Sequence, residues 1–169
     1  MDGVLFEGQI TFSKANLKES IRAWFFNSKL WLLLFVPIPL IICGIFALIH
    51  NGDGAFLAIG IIFAAVMPLT LIIRYNLNTK LTYNRFREQN SGQEITHIVR
   101  FFDSNITLTN PLTNNTLNYN YSTVKKIIES KNLIMLLTEA KAYIALEKTK
   151  FTIGNQNDLI LFIRSKGIK

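Results

Sequence analysis

The sequence predicts an α+β membrane protein, in which a two-helix transmembrane hairpin precedes a small antiparallel β-domain with a C-terminal helix. Two uncharged apolar runs, residues 30–49 and 55–73, predict the hairpin. At ~1.5 Å of rise per residue, each run is long enough for a hydrocarbon core of about 30 Å. The five residues between them, His-Asn-Gly-Asp-Gly, are typical of a tight turn. Alternating apolar and polar residues then predict a series of strands.

These patterns divide the chain into four segments. Residues 1–29 form an N-terminal strand and an amphipathic helix, and residues 30–73 form the hairpin. Residues 74–92 continue the second helix as an extension or linker. Residues 93–169 form the β-domain, which is expected in the cytoplasm.

Composition supports a membrane location. Half of the 169 residues are hydrophobic and the formal net charge is +7. The charge is concentrated beside the apolar runs: Lys14, Lys18, Arg22 and Lys29 come before the first, and Arg74, Lys80, Arg85 and Arg87 come after the second. The loop between the runs has no Lys or Arg and contains Asp53. The positive-inside rule therefore predicts a multi-pass protein of the cytoplasmic (inner) membrane with both termini in the cytoplasm.

Aromatic and basic residues are expected at the cytoplasmic membrane interface, where amphipathic side chains prefer to lie. The predicted interface residues are Arg22, Trp24, Lys29, Trp31, Arg74 and Tyr75. Topology and contact with anionic lipid account for much of the positive charge. No motif for nucleic-acid binding is present, so no nucleic-acid partner is expected.

Prolines and small residues shape the predicted hairpin. Pro37 and Pro39 lack backbone donors and predict a kink near the middle of the first helix, and Pro68 predicts one in the second. Small side chains allow close packing of the two helices or of two protomers. These are Gly44, Ala47, Ala58, Gly60, Ala64 and Ala65.

The N-terminal segment leaves two interpretations open. Residues 4–12 read as a strand, and residues 14–26 read as a helix that Ser13 can cap. This helix has an apolar face with Leu17 and Trp24 and a basic face with Lys14 and Arg22. It is expected either to lie in the membrane interface or to pack against the β-domain.

The β-domain is predicted from residue 94 onwards. Strands are expected at 94–102, 106–109, 116–121, 133–138 and 142–146, and residues 122–128 are ambiguous between a helical turn and a strand. Residues 155–166 predict a final helix, with Asn155 or Asn157 as its cap. The whole is an antiparallel sheet of about five to seven strands closed by a helix.

A family resemblance rests on the residues of this last domain. The residues that carry it are Tyr119–Ser130, Asn132, residues 133–137, Ala142-Tyr143-Ile144, Phe151 and the tail helix. Together they resemble the YcxB-like family of bacterial membrane proteins. Residues 101–106 and the order of the segments resemble it too. The stretch Leu146-Glu147-Lys148 departs from the proline and basic residue that the family often has there. The resemblance implies a PH-like or GRAM-like domain and implies no catalytic or binding residues.

Candidate reactive residues do not combine into a site. His97 is alone in a strand, where a surface or hydrogen-bonded core histidine is expected. His50 and Asp53 in the hairpin loop are too few for structural zinc. Cys43 lies within the apolar run and is expected to be an inert thiol. No catalytic residue, cofactor or metal ligand is therefore predicted, and the chain is not expected to be an enzyme.

Two functions remain compatible with this architecture. The first is a non-enzymatic membrane anchor whose PH-like domain binds a protein partner or lipid headgroups. The expected partners of the chain as a whole are the lipid bilayer and either a cytoplasmic or membrane protein or further copies in a homo-oligomer. The alternative is an immunity or defence protein against a membrane-acting toxin.

Overall fold

The computed structural model describes residues 3–52, 54–90, 92–140 and 142–168. Within these ranges the chain forms four α-helices, two 3-10 segments and eight strands. The helices are α1 (Lys14–Asn27), α2 (Pro37–Asn51), α3 (Ala55–Gln89) and α4 (Gln156–Ser165). The strands are β1 (Phe6–Thr11), β2 (Thr96–Phe101), β3 (Asn105–Asn110), β4 (Asn115–Asn120), β5 (Val124–Glu129), β6 (Leu133–Thr138), β7 (Tyr143–Glu147) and β8 (Phe151–Ile153). The 3-10 segments are Leu30–Phe35 and Tyr121–Thr123.

The chain divides into two compact units. Residues 25–80 form a helical unit, and residues 1–24 together with 81–169 form a β unit. The boundaries fall inside α1 and α3. The N-terminal strand thus belongs to the same unit as the C-terminal strands, although α2 and most of α3 separate them along the chain. Asp53, whose charge entered the topology argument, lies outside the described residues.

The first apolar run forms one candidate span, Leu30–Asn51, and changes its helix type where the kink is predicted. Leu30–Phe35 form a 3-10 segment, and α2 begins at Pro37. At the first helical position the missing proline N–H is no loss, because that group has no intrahelical acceptor. Pro37 therefore starts a helix instead of bending one. α2 ends at Gly52, whose φ of 67° is left-handed and whose N–H donates to the Leu48 carbonyl at 3.1 Å.

The second apolar run belongs to a much longer helix. α3 has 35 residues and continues through Pro68 to Gln89. His50 lies in α2, not in the loop, with its ring 4.2 Å from that of Phe46. The expected two long apolar helices are confirmed.

The helical unit is held together by close backbone approach. A Cβ added to Gly44 would lie 2.5 Å from the Leu57 Cα, and one added to Gly60 would lie 3.0 Å from the Ile41 nitrogen. Neither helix can carry a larger residue at these points without moving its partner. Glycine therefore permits the antiparallel packing of α2 on α3.

β1 occupies an interior position in the larger sheet of the β unit. The strand order of this five-stranded sheet is β4-β3-β2-β1-β8. β1 pairs antiparallel with β2 over six residue pairs, from Phe6 with Phe101 to Thr11 with Thr96. β8 then pairs with the other edge of β1. The sequence did not predict β8, because a three-residue strand has no measurable alternation.

The second sheet has the order β5-β6-β7. Most residues of its central strand, β6, are buried in the core. Val99, Phe101 and Ile106 of the larger sheet and Leu136 and Leu146 of the smaller one are fully buried in one cluster. The ambiguous residues 122–128 are resolved, since a 3-10 turn at 121–123 precedes β5. The predicted antiparallel β-domain is confirmed.

α4 closes the core as predicted. Leu159 and Ile163 are fully buried in the same cluster as the two sheets. Of the two predicted caps, Asn155 is the one used: its Oδ1 accepts from the Asn157 and Asp158 N–H groups, both at 3.0 Å. This bond pattern satisfies two of the donors that a helix start leaves open.

The first part of α1 packs on the β unit, which decides between the two interpretations for residues 14–24. Leu17 is buried, and Ala23 contacts the cluster of Ile10, Ile128, Leu133, Met135 and Ala145. The Glu19 carboxylate accepts hydrogen bonds from the Asn132 N–H at 2.6 Å and from the Ser130 hydroxyl at 2.7 Å. Apolar burial and charge-assisted bonds thus fix this part of the helix to the β5–β6 turn.

Candidate functional site

A cavity of about 250 Å³ lies on the core-facing side of β2, β3 and β4. The alternation of each strand determines which side chains reach it, because residues two apart point to the same face. His97 shares a face with Val99 and Phe101, and Leu117 shares one with Tyr119. The end of α3 forms the opposite wall. The cavity is lined by Phe86, Asn90, Ile95, His97, Leu108, Asn110, Thr113, Asn115 and Leu117.

The cavity opens towards β4. Its deep wall is buried, with Ile95 at 3% and Leu108 at 9% exposure. Leu117, by contrast, is 49% exposed, and Asn115 is also exposed. An apolar floor with an exposed rim on one side makes the β4 side chains the mouth of the cavity.

His97 is the one titratable residue among the lining side chains. Its Nδ1 is buried and has no hydrogen-bond partner among the described residues. His97 is half-buried, because the strand alternation turns its ring inwards, so it lies between the surface and core positions that were expected. The ring meets Phe12 edge to face, with 4.8 Å between centroids. Burial lowers the pKa of His97, so the imidazole is neutral at pH 7.

Two of the asparagines that line the cavity, Asn90 and Asn110, have hydrogen-bond partners for their side-chain amides. Asn110 Nδ2 donates to Asn90 Oδ1 at 3.4 Å, and Asn90 Nδ2 donates to the Phe86 carbonyl at 2.8 Å. Asn110 Oδ1 also accepts from the Leu112 N–H at 3.0 Å. These bonds tie the end of α3 to the β3–β4 turn. None of the described residues that line the cavity is Lys, Arg, Asp or Glu, so the cavity suits an uncharged group.

The described residues contain no group of three or more His, Cys, Asp and Glu side chains that could hold a metal ion. Cys43 is an exposed free thiol on α2. Among the carboxylates, Glu7 has its pKa lowered by hydrogen bonds from Thr152 and Arg100 and by the Arg100 charge. This carboxylate links three strands, since Arg100 lies on β2 and Thr152 lies on β8.

The predicted interface residues fall in both units. Arg22 and Trp24 lie on α1 within the β unit, and Arg22 is exposed. Lys29, Trp31, Arg74 and Tyr75 lie in the helical unit.

The four predicted interface residues of the helical unit lie at similar heights along the hairpin axis. Residue 41 faces residue 60, and residue 44 faces residue 57. The 3-10 segment rises ~2.0 Å per residue. Residue 30 therefore lies level with roughly residue 73, counting ~1.5 Å per residue in the α-helices. Lys29 and Trp31 thus stand at the same end of the hairpin as Arg74 and Tyr75.

Comparison with known proteins identifies the domain that carries the cavity mouth. Residues 101–163 match the family model described as YcxB-like protein. The chain contains a YcxB-like domain. This match covers β3 to β8 and most of α4, and it confirms the family resemblance of the C-terminal region. The YcxB-like domain begins at the last residue of β2, so β1 and most of β2 lie outside the matched range.

Other comparisons add no functional information. Comparison with curated proteins gives no significant match. One solved structure, the C-terminal domain of an unknown protein from Leishmania infantum, is similar at 17% identity with a TM-score of 0.36. That similarity covers 47% of this chain and 75% of the other.

Proposed function

We propose that this chain is an integral protein of the cytoplasmic membrane, in which the helical unit spans the bilayer as a hairpin. The supporting observation is the exposure of its apolar side chains. Only 11% of the first candidate span and 6% of the second is buried within the protein. Ile42, Phe46 and Ile49 are 61%, 63% and 72% exposed. A core helix of a soluble protein would have protein around such side chains, whereas a membrane helix has lipid.

The lengths of the two segments support the same proposal. α2 and the 3-10 segment before it together extend about 34 Å, from ~1.5 Å and ~2.0 Å of rise per residue. The apolar part of α3, residues 55–73, extends about 28 Å at the same ~1.5 Å per residue. Both are close to the hydrocarbon thickness of about 30 Å.

The orientation follows from the charges at one end of the hairpin. Lys29 and Arg74 stand at nearly the same level, with Trp31 and Tyr75 beside that level. Basic residues stay in the cytoplasm and amphipathic rings prefer the interface. Both ends of the chain are therefore proposed to face the cytoplasm.

The β unit is proposed to be a PH-like domain. β1 to β4 form one antiparallel meander, β5 to β7 form a second, and α4 follows them. This order is the one expected for a PH-like or GRAM-like domain. In this chain α1 and the membrane hairpin occupy the connection between β1 and β2.

The function that this arrangement supports best is non-enzymatic binding at the inner face of the membrane. The hairpin anchors the PH-like domain, and the domain binds a protein segment or lipid headgroups. Its cavity combines apolar surface with one neutral imidazole and no second titratable side chain among the described lining residues, which supports recognition of an uncharged group over catalysis by a pair of acid–base groups.

The first experiment tests the topology. The full chain, with a protease-cleavable tag at each end, is expressed in bacteria, and intact spheroplasts are treated with the protease. Both tags are expected to remain uncut until the membrane is broken. Cleavage of either tag from outside would overturn the proposed orientation.

The second experiment tests binding. In one arm, the tagged chain is cross-linked in cells and purified with any bound protein. In the other, the chain is reconstituted in bilayers of zwitterionic or of anionic lipid, and hydrogen exchange of the β unit is compared between them. A specific cross-linked protein, or protection of the β unit from hydrogen exchange only in anionic bilayers, is expected. Failure of both would contradict a binding role, whatever the topology.

A further inference from the structure

β4 is an edge strand without the features that usually protect such edges. It lies at the end of the five-stranded sheet, and five of its six residues are exposed. Its six pairs with β3, from Asn105 with Asn120 to Asn110 with Asn115, run without a register shift. Its sequence, Asn-Thr-Leu-Asn-Tyr-Asn, has no charge and no proline. A regular, uncharged edge is a template for pairing with another strand.

The other outer strands of the β unit are protected. β8 is only three residues long, and its pairing with β1 shifts register. β5 also has a register shift, and it carries Lys125, Lys126 and Glu129. β7 lies beside β1, since the Thr11 N–H donates to the Glu147 carboxylate at 2.9 Å. Short length, bulges, charge and cover are the usual means of preventing edge pairing, and β4 has none of them.

The charge distribution favours a second copy of this chain as the partner. Two copies that each carry a net charge of +7 repel one another where their basic surfaces approach. Residues 104–124, which include β3, its turn to β4 and β4 itself, contain no charged side chain. This hairpin is therefore the part of the β unit where two copies can approach without bringing like charges together.

The side chains of β4 also complement themselves. Antiparallel pairing about a two-fold axis joins residues of the same face. With the axis at Leu117, that residue meets the partner's Leu117, and with the axis at Asn118, it meets the partner's Tyr119. In both registers an apolar neighbour covers Leu117, which is 49% exposed at the cavity mouth.

We propose that two copies of this chain associate through antiparallel pairing of their β4 strands, which joins the two five-stranded sheets into one and covers the mouth of the cavity beside Leu117. The interface is isologous and closed, so it produces a dimer and no longer assembly. The proposal concerns the β unit alone and does not depend on whether the hairpin spans a membrane.

Cysteine cross-linking of the full chain tests the pairing and its register. Single cysteines are placed at 116, 117, 118 and 119 in a Cys43→Ser background, and isolated membranes or purified protein are oxidised. Only the residue on the two-fold axis faces itself at the ~4.5–5.5 Å needed for a disulfide. Neighbouring positions are separated from their own copies by about 8 Å or more.

The expected result is a covalent dimer that peaks sharply at one position of β4. A cysteine at Asn157, an exposed residue of α4, is the matched control and gives only background. Equal cross-linking at every position and at the control would indicate random collision. That outcome, or no dimer at any position, would overturn the proposal.

Charge exchange tests the same interface without a covalent bond. Asn118→Lys and Asn118→Glu each place like charges near one another across the axis, so each is expected to weaken self-association by about tenfold or more. Mixing the two variants is expected to restore association, which also shows that both are folded. The same substitutions at Asn157 are expected to have no effect. Unchanged association of the Asn118 variants, or no rescue on mixing, would show that β4 pairs with a different molecule or with none.

Discussion

At the scale of single residues, two carboxylates connect parts of the chain that are far apart in sequence. Glu7 on β1 accepts from Arg100 at 2.5 Å and from the Thr152 hydroxyl at 2.6 Å. Glu19 on α1 accepts from the backbone and side-chain nitrogens of Asn132 and from Ser130. The negative charge of each carboxylate strengthens these bonds, so ionisation of Glu7 and Glu19 stabilises the β unit.

The effect of pH on α1 follows from Glu19. Burial raises the pKa of Glu19, but the hydrogen bonds from Asn132, Ser130 and the Leu133 N–H outweigh it, so the pKa is lowered overall. A carboxyl whose pKa is lower in the folded state contributes stability that is fully present above its unfolded pKa of about 4.3. That contribution is lost as the pH falls through the folded pKa.

Glu19→Gln is therefore expected to free the first part of α1. Removing charge-assisted bonds weakens protection of the amides of residues 14–24 by about 1–2 kcal/mol at neutral pH. The acid-dependent part of this protection disappears as well. Hydrogen exchange with mass spectrometry measures both effects on the full chain. Glu139→Gln, the same change at an exposed carboxylate, is the control, and equal loss of protection in both variants would contradict the role of Glu19.

At the scale of elements, the hairpin relies on two glycines. Gly44 and Gly60 lie where α2 and α3 approach most closely, and each faces the backbone of the other helix. In the proposed membrane location, apolar side chains would gain little from leaving the lipid, so the fit of the two backbones would provide much of the association energy.

Gly44→Val is expected to separate the helices, because even its Cβ would overlap the backbone of residues 56 and 57. A loss of about 1–3 kcal/mol is typical of such overpacking. The thermal midpoint of the full chain in detergent measures it. Ala64→Val adds bulk at an exposed position of α3 and is expected to change little. Similar midpoints for both variants would show that the glycine contact does not stabilise the hairpin.

Periodicity predicts the elements of this chain more completely than it predicts their partners. The two apolar runs, the alternating strands and the C-terminal helix are evident because each is a local pattern. The change from a 3-10 segment to α2 at Pro37 is not evident from the sequence, because a proline has the same local signature inside a helix and at its first turn. The burial of His97 Nδ1 and the cavity around it depend on which elements pack against the inner face of β2. Those elements are α3 and β4, and the local sequence of β2 does not predict that they pack there.

At the scale of the whole molecule, the YcxB-like domain is incomplete without the start of the chain. β1 lies between β2 and β8, and Gly8 and Ile10 are buried. A segment beginning at residue 93 would contain the matched family region and still lack an interior strand. The hydrogen-bonding edges of β2 and β8 would then be open.

Residues 93–169 alone are therefore expected not to form a stable domain. A single chain that joins residues 3–24 to residues 81–168 through a flexible Gly/Ser linker is expected to fold, because it contains the whole β unit. Two-dimensional NMR spectra of the two soluble fragments compare them directly. A dispersed spectrum from residues 93–169 alone would contradict the requirement for β1.

The interior position of β1 also determines when the β unit can close during synthesis of the chain. Phe151 of β8 is synthesised 140 residues after Thr11 of β1, which corresponds to about 7–28 s at ~5–20 residues per second. β1 has no strand to pair with until β2 has been made, and β2 follows the whole apolar hairpin along the chain. The other edge of β1 stays open for longer, because it pairs with β8, the last strand. Closure of the β unit is therefore a late event of synthesis, and until then chaperones and proteases can reach the open edge of β1.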